Sequence, residues 1–344
     1  MKKIRLGLVG CGNMMGHHMG GVKLVEGIEI TAICDIDTEN MAKVAEVLDN
    51  PFCTSDYREM VDHIDAVLIA LPHHLHYSCG VFFARNKKHI MMEKPLCVSE
   101  MECESLIDIC EEEGVVLMCA YPVPYLPAVV KLKELVDSGD FGKVFQMSIW
   151  TEQLVRRHEG SWINDNRVGG GQLFSHGCHY IDILLRFLGK PVSGNHIGTR
   201  LGTEWLMFEG TSVAMMKFES GAIGYHGATW GARGTALGSC YQIHTEKGML
   251  ELQNGEIRLY NQIVEHQPGV EENRGYKVIW NGDKLGGKHT NLETAHFVDC
   301  IRTGKRPMTD ARRSLQSLRI IWKMYDAEKA GVVADLRGLG LENA

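Results

Sequence analysis

From Ile4 to about Met118, apolar runs of strand length alternate with amphipathic helical stretches. IRLGLVG, EITAICD, AVLIAL, HIMMEK and VVLMCAY have few polar interruptions, as strands buried on both faces require. Between them lie pieces such as TENMAKVAEVLD, with Asp37 or Thr38 at the N-cap. This alternation predicts a doubly wound parallel sheet whose ligand sits at the carboxyl ends of the strands. The three prolines of AYPVPYLPA break the pattern, which divides the chain into domains 1–122 and 123–344. Beyond the break come a helix, AVVKLKELVDSG, and then KVFQMSIWTEQ, TSVAMMKFE, GAIGYHGATW, YQIHTEKGMLELQ and EIRLYNQ. These are rich in β-branched and aromatic residues and are joined by turns at Ser220-Gly221 and Asn254-Gly255, so a meander-like sheet is expected. The tail after Leu336 is expected to fray.

Composition narrows the function. A formal charge of -7 argues against nucleic acid as a partner, because phosphate binding needs a basic face. No apolar run is long enough to span a bilayer, so no membrane partner is expected. MKKIRLGLVGCG resembles a signal peptide in its lysines and apolar run, but no small-residue cleavage site follows. The eleven cysteines have neither zinc spacing nor disulfide-scaffold density, which fits a reducing cytoplasm.

The chemistry starts at GCGNMMG, Gly10 to Gly16. Gly10 permits a tight turn, and Gly12 lets the backbone approach a pyrophosphate at the next helix N-terminus. Cys11, Asn13 and Met14 complete this candidate phosphate turn. The third glycine of the usual fingerprint comes one residue late, at Gly16. Asp35 closes the second strand where a carboxylate accepts both ribose hydroxyls. It would repel a 2′-phosphate, so NAD is expected rather than NADP. ALPHHLHYS places Leu71, Pro72, His73 and His76 at a further strand end as cofactor contacts, and its histidines match no standard zinc pattern. MMEKPL ends another strand with Glu93 and Lys94, two further expected cofactor contacts. An ammonium there points toward a nicotinamide crevice and would polarise an alcohol or ketone; the plainer reading is a solvated strand end.

GGGQLFSHGCHYID, Gly169 to Asp182, carries two histidines. On an α-helix from Gly171, Ser175, His179 and Asp182 would fall within about 60° of arc, with His176 about 60° beyond. A metal site, an acid–base site and a buried helix with two satisfied histidines are the open readings; metal lacks an obvious third ligand. Just before it, LVRRHEGSWINDNRVGGG offers Arg156, Arg157 and Trp162 among other polar groups. An indole face beside polar groups suits a carbohydrate; the alternative is a solvated loop anchored by a buried Trp162.

Taken together, the glycine turn, Asp35, ALPHHLHY, EKPL, GGGxxxxxGxHxxD and HFVDCIRTGKRP make the chain resemble the Gfo/Idh/MocA oxidoreductases over nearly its whole length. The resemblance implies an N-terminal Rossmann domain binding NAD(P) and a C-terminal α+β domain with an open, mostly antiparallel sheet. It implies homo-oligomers, dimers or tetramers, formed through that sheet. It also implies hydride transfer at a secondary hydroxyl of a sugar, glycoside or cyclitol, with Lys94 and His179 as the catalytic residues. Position C3 of a pyranose is one such hydroxyl. Two departures stand out. Many relatives have aspartate where this chain has Ser175, which leaves Ser175 or His176 to contact substrate. Relatives often have FNRRF where YPVPY stands, so the arginines are missing and Tyr121 and Tyr125 flank the substituted positions as substrate contacts. Two other functions use the same features: a redox-neutral NAD-dependent glycosidase, and a nucleotide-binding sensor without turnover.

Overall fold

The computed structural model describes residues 2–261, 275–282 and 289–339. The chain forms two compact units. The first comprises Met1–Tyr125, Asp165–Gly169 and Lys288–Leu318; the second comprises Leu126–Asn164, Gly170–Gly287 and Arg319–Ala344. The first unit is thus discontinuous, which a single division after residue 122 does not express.

In the first unit, β1 (Ile4–Val9), β2 (Ile28–Cys34), β3 (Phe52–Thr54), β4 (Ala66–Ile69), β5 (His89–Glu93) and β6 (Leu117–Ala120) form one sheet in the order β3-β2-β1-β4-β5-β6. All neighbouring pairs are parallel. This is the doubly wound arrangement, with its topological switch between β1 and β4. Helices α1 (Asn13–Val22), α2 (Thr38–Ala45), α3 (His76–Arg85) and α4 (Glu100–Glu112) connect the strands. Asp37 caps α2, accepting the amides of Glu39 and Asn40. Strand β3 is too short for a periodic signal. Leu6, Leu8, Ile33, Leu68 and Met91 fill the core with Met15 and Met19 of α1. Helix α7 (Thr290–Thr303) adds Phe297 and Val298 to the same core.

The second unit is a nine-stranded sheet behind α5 (Pro127–Asp137) and α6 (Cys178–Leu188). Its strands are β7 (Val144–Glu152), β8 (Pro191–Thr199), β9 (Thr211–Phe218), β10 (Ile223–Thr229), β11 (Ser239–Thr245), β12 (Gly248–Gln253), β13 (Glu256–Tyr260), β14 (Lys277–Asn281) and β15 (Ala334–Asp335). Their order is β14-β13-β12-β11-β7-β10-β9-β8-β15. The expected meander is broken where β7 inserts between β11 and β10 and where β15 joins β8; β7 and β10 are parallel, whereas the other pairs are antiparallel. Strand β8, PVSGNHIGT, has the composition of a loop and is held by pairing with β9. Asn254 and Gly255 both have positive φ, as the predicted two-residue turn requires. Helix α8 (Ala311–Ala330) runs from the last segment of the first unit into the second. Gln262, at the end of the expected run EIRLYNQ, and tail residues 340–344 lie outside the described residues.

Candidate active site

The nucleotide cradle is built at the switch point. Gly10 has φ +88°, and a Cβ there would lie 2.4 Å from the carbonyl oxygen of Ala70. Only glycine lets the ends of β1 and β4 approach this closely. A Cβ on Gly12 would meet nothing within 4 Å, so the backbone faces open space at the start of α1. Gly12 is the N-cap and brings no side chain to the first-turn amides, which suits an anion there. Gly16, the displaced third glycine, also has open space at its Cβ position, so no close packing demands it.

Asp35 is tied into the turn. Its Oδ2 accepts the Cys11 amide at 2.5 Å and its Oδ1 accepts the Asp37 amide at 2.8 Å. A carboxylate has about four acceptor positions, so capacity remains for two ribose hydroxyls. Burial, and then the charge of Asp35, push the Cys11 thiol up to about 12, leaving its amide as its contribution. Ile36 is 89% exposed beside Asp35, an apolar surface for a base that sequence reading missed. These features fit NAD: Gly10, Gly12 and the start of α1 for the pyrophosphate, Asp35 for the ribose.

The next strand ends meet beside the cradle. Pro72 leads into a short 3-10 turn, His73–Leu75, and then α3. His73 is buried and donates from Nδ1 to the Val168 carbonyl at 3.2 Å. Burial lowers its pKa well below the usual imidazole value, and the nearby charges of His76 and Lys94 add to the effect, so the ring is neutral. His76 lies between the carbonyls of Leu71 and Pro95, 2.9 Å from each, and a neutral ring donates to only one of them. Burial lowers its pKa; the two carbonyls and the Glu93 charge oppose that shift. Lys94 is half-buried just past the end of β5. Glu93 turns inward: its Oε2 accepts the Lys94 amide at 3.1 Å and its Oε1 pairs with His18 Nε2 at 2.6 Å. Glu93 therefore contributes by placing Lys94 rather than by facing solvent. His18 escaped sequence reading, although it shares the buried face of α1 with Met15, Met19 and Val22, a spacing that marks it.

In the second unit, GGGQLFSHGCHYID does not form one continuous α-helix. Leu173–Gly177 is π-helical and α6 follows, so the arc expected for an α-helix from Gly171 does not hold for Ser175 and His176. Glu209 anchors the start: its Oε1 accepts the Tyr325 hydroxyl at 2.5 Å and the Leu173 amide at 3.3 Å. Burial raises the Glu209 pKa, and the hydrogen bond from Tyr325 opposes that rise. Ser175 is buried and donates to the Gly170 carbonyl at 3.3 Å, so its hydroxyl is directed at the helix's own start. His176 is half-buried, with its ring 5.8 Å from that of His179 and 5.2 Å from that of Tyr180. His179 is buried on α6, and Asp182 pairs with Arg186 at 2.5 Å.

Two expectations are corrected by burial. Tyr121 and Tyr125 lie inside the first unit, their hydroxyls on Ser314 Oγ at 3.2 Å and Thr309 Oγ1 at 3.3 Å. They serve packing rather than substrate contact. Trp162 is 43% exposed, so it is not the buried anchor of its loop. Ile163, packed with Leu206 and Trp230, and Asn164, bonded to the backbone of Trp205 and Met207, hold the loop from inside. Arg157 is exposed. Among the described residues, no group of His, Cys, Asp or Glu side chains is arranged to hold a metal ion.

Comparison with known proteins agrees with this geometry. The Gfo/Idh/MocA oxidoreductase model, an NAD-binding Rossmann fold, matches residues 4–121, and the Gfo/Idh/MocA C-terminal domain matches residues 129–251. A 4-carboxy-2-hydroxymuconate-6-semialdehyde dehydrogenase of Sphingobium sp. is 23% identical over 95% of this chain and 100% of its own length. A D-xylose 1-dehydrogenase (NADP(+)) of Haloferax volcanii is 26% identical, covering 90% of this chain and 92% of its own. The WlbA dehydrogenase from Bordetella pertussis, solved with NADH and UDP-GlcNAcA, has the same fold: TM-score 0.81, 23% identity, 97% of this chain and 98% of that one. The glycine turn pressed against β4, the carboxylate of Asp35 and the lysine after β5 thus sit in a chain whose two parts each match a domain of one family: this protein belongs to the Gfo/Idh/MocA oxidoreductases and carries their NAD-binding Rossmann fold.

Proposed function

We propose that this protein is an NAD-dependent dehydrogenase of a secondary hydroxyl on a sugar, glycoside or cyclitol. The observation that carries the reading is the pairing of a complete nucleotide cradle with Lys94, whose half-buried side chain leaves the carboxyl edge of the same sheet. The D-xylose dehydrogenase relative and the exposed Trp162 support a carbohydrate. Asp35 supports NAD over NADP.

NAD, when bound, supplies the hydride acceptor. Lys94 donates a hydrogen bond from Nζ to the reacting oxygen, lowering the cost of negative charge there. His179 takes the hydroxyl proton as the carbinol hydrogen leaves as hydride, so the products are a ketone, NADH and a proton. His176 and Trp162 contact substrate, with Arg157 at the rim. C3 of a pyranose is one such hydroxyl, and the lack of arginines in YPVPY argues against a strictly anionic substrate.

A stripe of apolar side chains on the outer face of the second sheet supports a homo-oligomer. Ile197 pairs with Val213, Met215 with Tyr225, and Gly227 with Trp150, all on one face. Ile197 and Met215 are 66% and 42% exposed, and a second copy of this chain would cover them. The eleven cysteines, ten of them buried and far from the density of a disulfide scaffold, support a reducing cytoplasm.

The deciding assay follows nicotinamide absorbance with NAD and NADP over a panel of sugars, aryl glycosides and inositols, with Lys94→Ala and His179→Ala in parallel. NADH formed with one substrate class and lost in both variants establishes the dehydrogenase. Aglycone release without net NADH moves the protein to the redox-neutral glycosidase. Bound nucleotide with no turnover on any substrate favours the sensor.

A further inference from the structure

The side chain of His18 on the dinucleotide helix α1 reaches the end of the lysine strand. His18 is 1% exposed, and its Nε2 lies 2.6 Å from Glu93 Oε1. The other oxygen of that carboxylate accepts the backbone amide of Lys94 at 3.1 Å. On the far side of the ring, Nδ1 stands 3.9 Å from Oε1 of Glu293 on α7, which is fully buried. Helix α7 is seated directly on α1: Thr290 donates its hydroxyl to the His17 carbonyl at 3.0 Å, and a Cβ on Gly21 would lie 2.2 Å from Thr290 Oγ1. The imidazole therefore cannot shift without moving α1 or α7.

A buried carboxylate must be hydrogen-bonded, and at 2.6 Å this imidazole is a close partner of Glu93. Without it, Oε1 would turn to find another donor and the hold on the Lys94 amide would loosen. Pro95, on the other side of Lys94, is held by its carbonyl's contact with His76 Nδ1 at 2.9 Å. The backbone around Lys94 is thus held from both sides, and one of those holds originates on the helix whose N-terminus faces the cofactor.

We propose that His18 is a positioning residue: through the hydrogen-bonded chain His18–Glu93–Lys94 it fixes the direction of the Lys94 side chain and couples it to the dinucleotide helix. The inference rests on the assignment of Lys94 to proton transfer.

The test compares His18→Phe, which keeps a ring but has no donor, with His18→Gln, whose side-chain amide places a donor near Nε2. Turnover, NADH binding by fluorescence titration without substrate, and thermal melting are measured for both. His18→Phe should lose about tenfold in kcat, while NADH affinity stays within about twofold. His18→Gln should recover most of that kcat. Glu93→Gln offers an acceptor to His18 or to the Lys94 amide but not to both, and should lower kcat in the same way. It serves should His18→Phe fail to fold. The loss in the double variant His18→Phe/Glu93→Gln should be smaller than the product of the two single losses. Unchanged kcat in His18→Phe overturns the proposal, as does a parallel fall in kcat, affinity and melting temperature in both His18 variants. Lys94→Ala separates the two levels: if it retains turnover, the assignment of Lys94 fails. If it abolishes turnover while His18→Phe and Glu93→Gln do not lower it, only the His18 inference fails.

Discussion

The amide of Cys11 donates to the carboxylate of Asp35 across 2.5 Å, joining the glycine turn to the end of β2. One side chain therefore braces the glycine turn, and in the proposed function it would also hold the ribose. Asp35→Asn keeps one oxygen acceptor and loses the charge. The KM for NAD should rise about tenfold or more, with a smaller change for NADP, whose 2′-phosphate no longer meets a carboxylate. Initial rates with both nucleotides check this.

Gly10 and Gly16 should respond to alanine with opposite signs. At Gly10 the new methyl meets the Ala70 carbonyl at 2.4 Å with φ at +88°, so unfolding free energy should fall by about 3 kcal/mol. Gly16 lies within α1 with nothing near its Cβ position, and alanine there should add about 0.5–1 kcal/mol. Denaturant titration of each variant distinguishes the two sites.

Trp162→Ala should raise the KM for the carbohydrate about tenfold and leave stability within about 0.5 kcal/mol, because the indole is 43% exposed. Equal damage to melting temperature and KM would return Trp162 to the role of loop anchor.

His226 makes part of the acid sensitivity. It is fully buried on β10, stacked on Tyr180 at 4.8 Å, with Nε2 on Thr151 Oγ1 at 3.0 Å. Burial lowers its pKa from about 6.5 to about 3. Between those values the unfolded chain binds a proton that the folded protein refuses. Its contribution is intact above pH ~6.5 and is lost progressively as pH falls toward ~3. His226→Leu should therefore flatten the pH dependence of unfolding free energy in that window by the slope of one proton, measured by denaturant titration at pH 4 and pH 7.

Met215→Glu and Ile223→Glu place charges on the outer face of the second sheet, where both residues are exposed. Light scattering should show the oligomer dissociating while NADH binding persists. An unchanged mass would direct the search for the interface elsewhere.

Much of this could be read without coordinates, because local rules determine it. Strands buried on both faces need continuous apolar runs, so β1, β2, β4, β5 and β6 were legible. The turn at Asn254-Gly255 demands positive φ twice and announces itself in its residue types. The places of Gly10, Asp35 and Lys94 just past strand ends were legible because a glycine or a charge that stops an apolar run marks where the strand closes. Tertiary packing decided the rest. Tyr121 and Tyr125 resemble binding residues in the sequence, but Ser314 and Thr309, nearly two hundred residues away, take their hydroxyls. The π-helical turn at Leu173–Gly177 has no periodic signature, and its start is anchored by Glu209, from the loop before β9, and by Tyr325 of α8. The return of residues 288–318 to the first unit and the partnership of His18 with Glu93 depend on contacts between segments far apart in the chain. Periodicity and spacing report a residue's neighbours along the chain; which buried polar atoms meet is settled only when every one of them must find a partner in space.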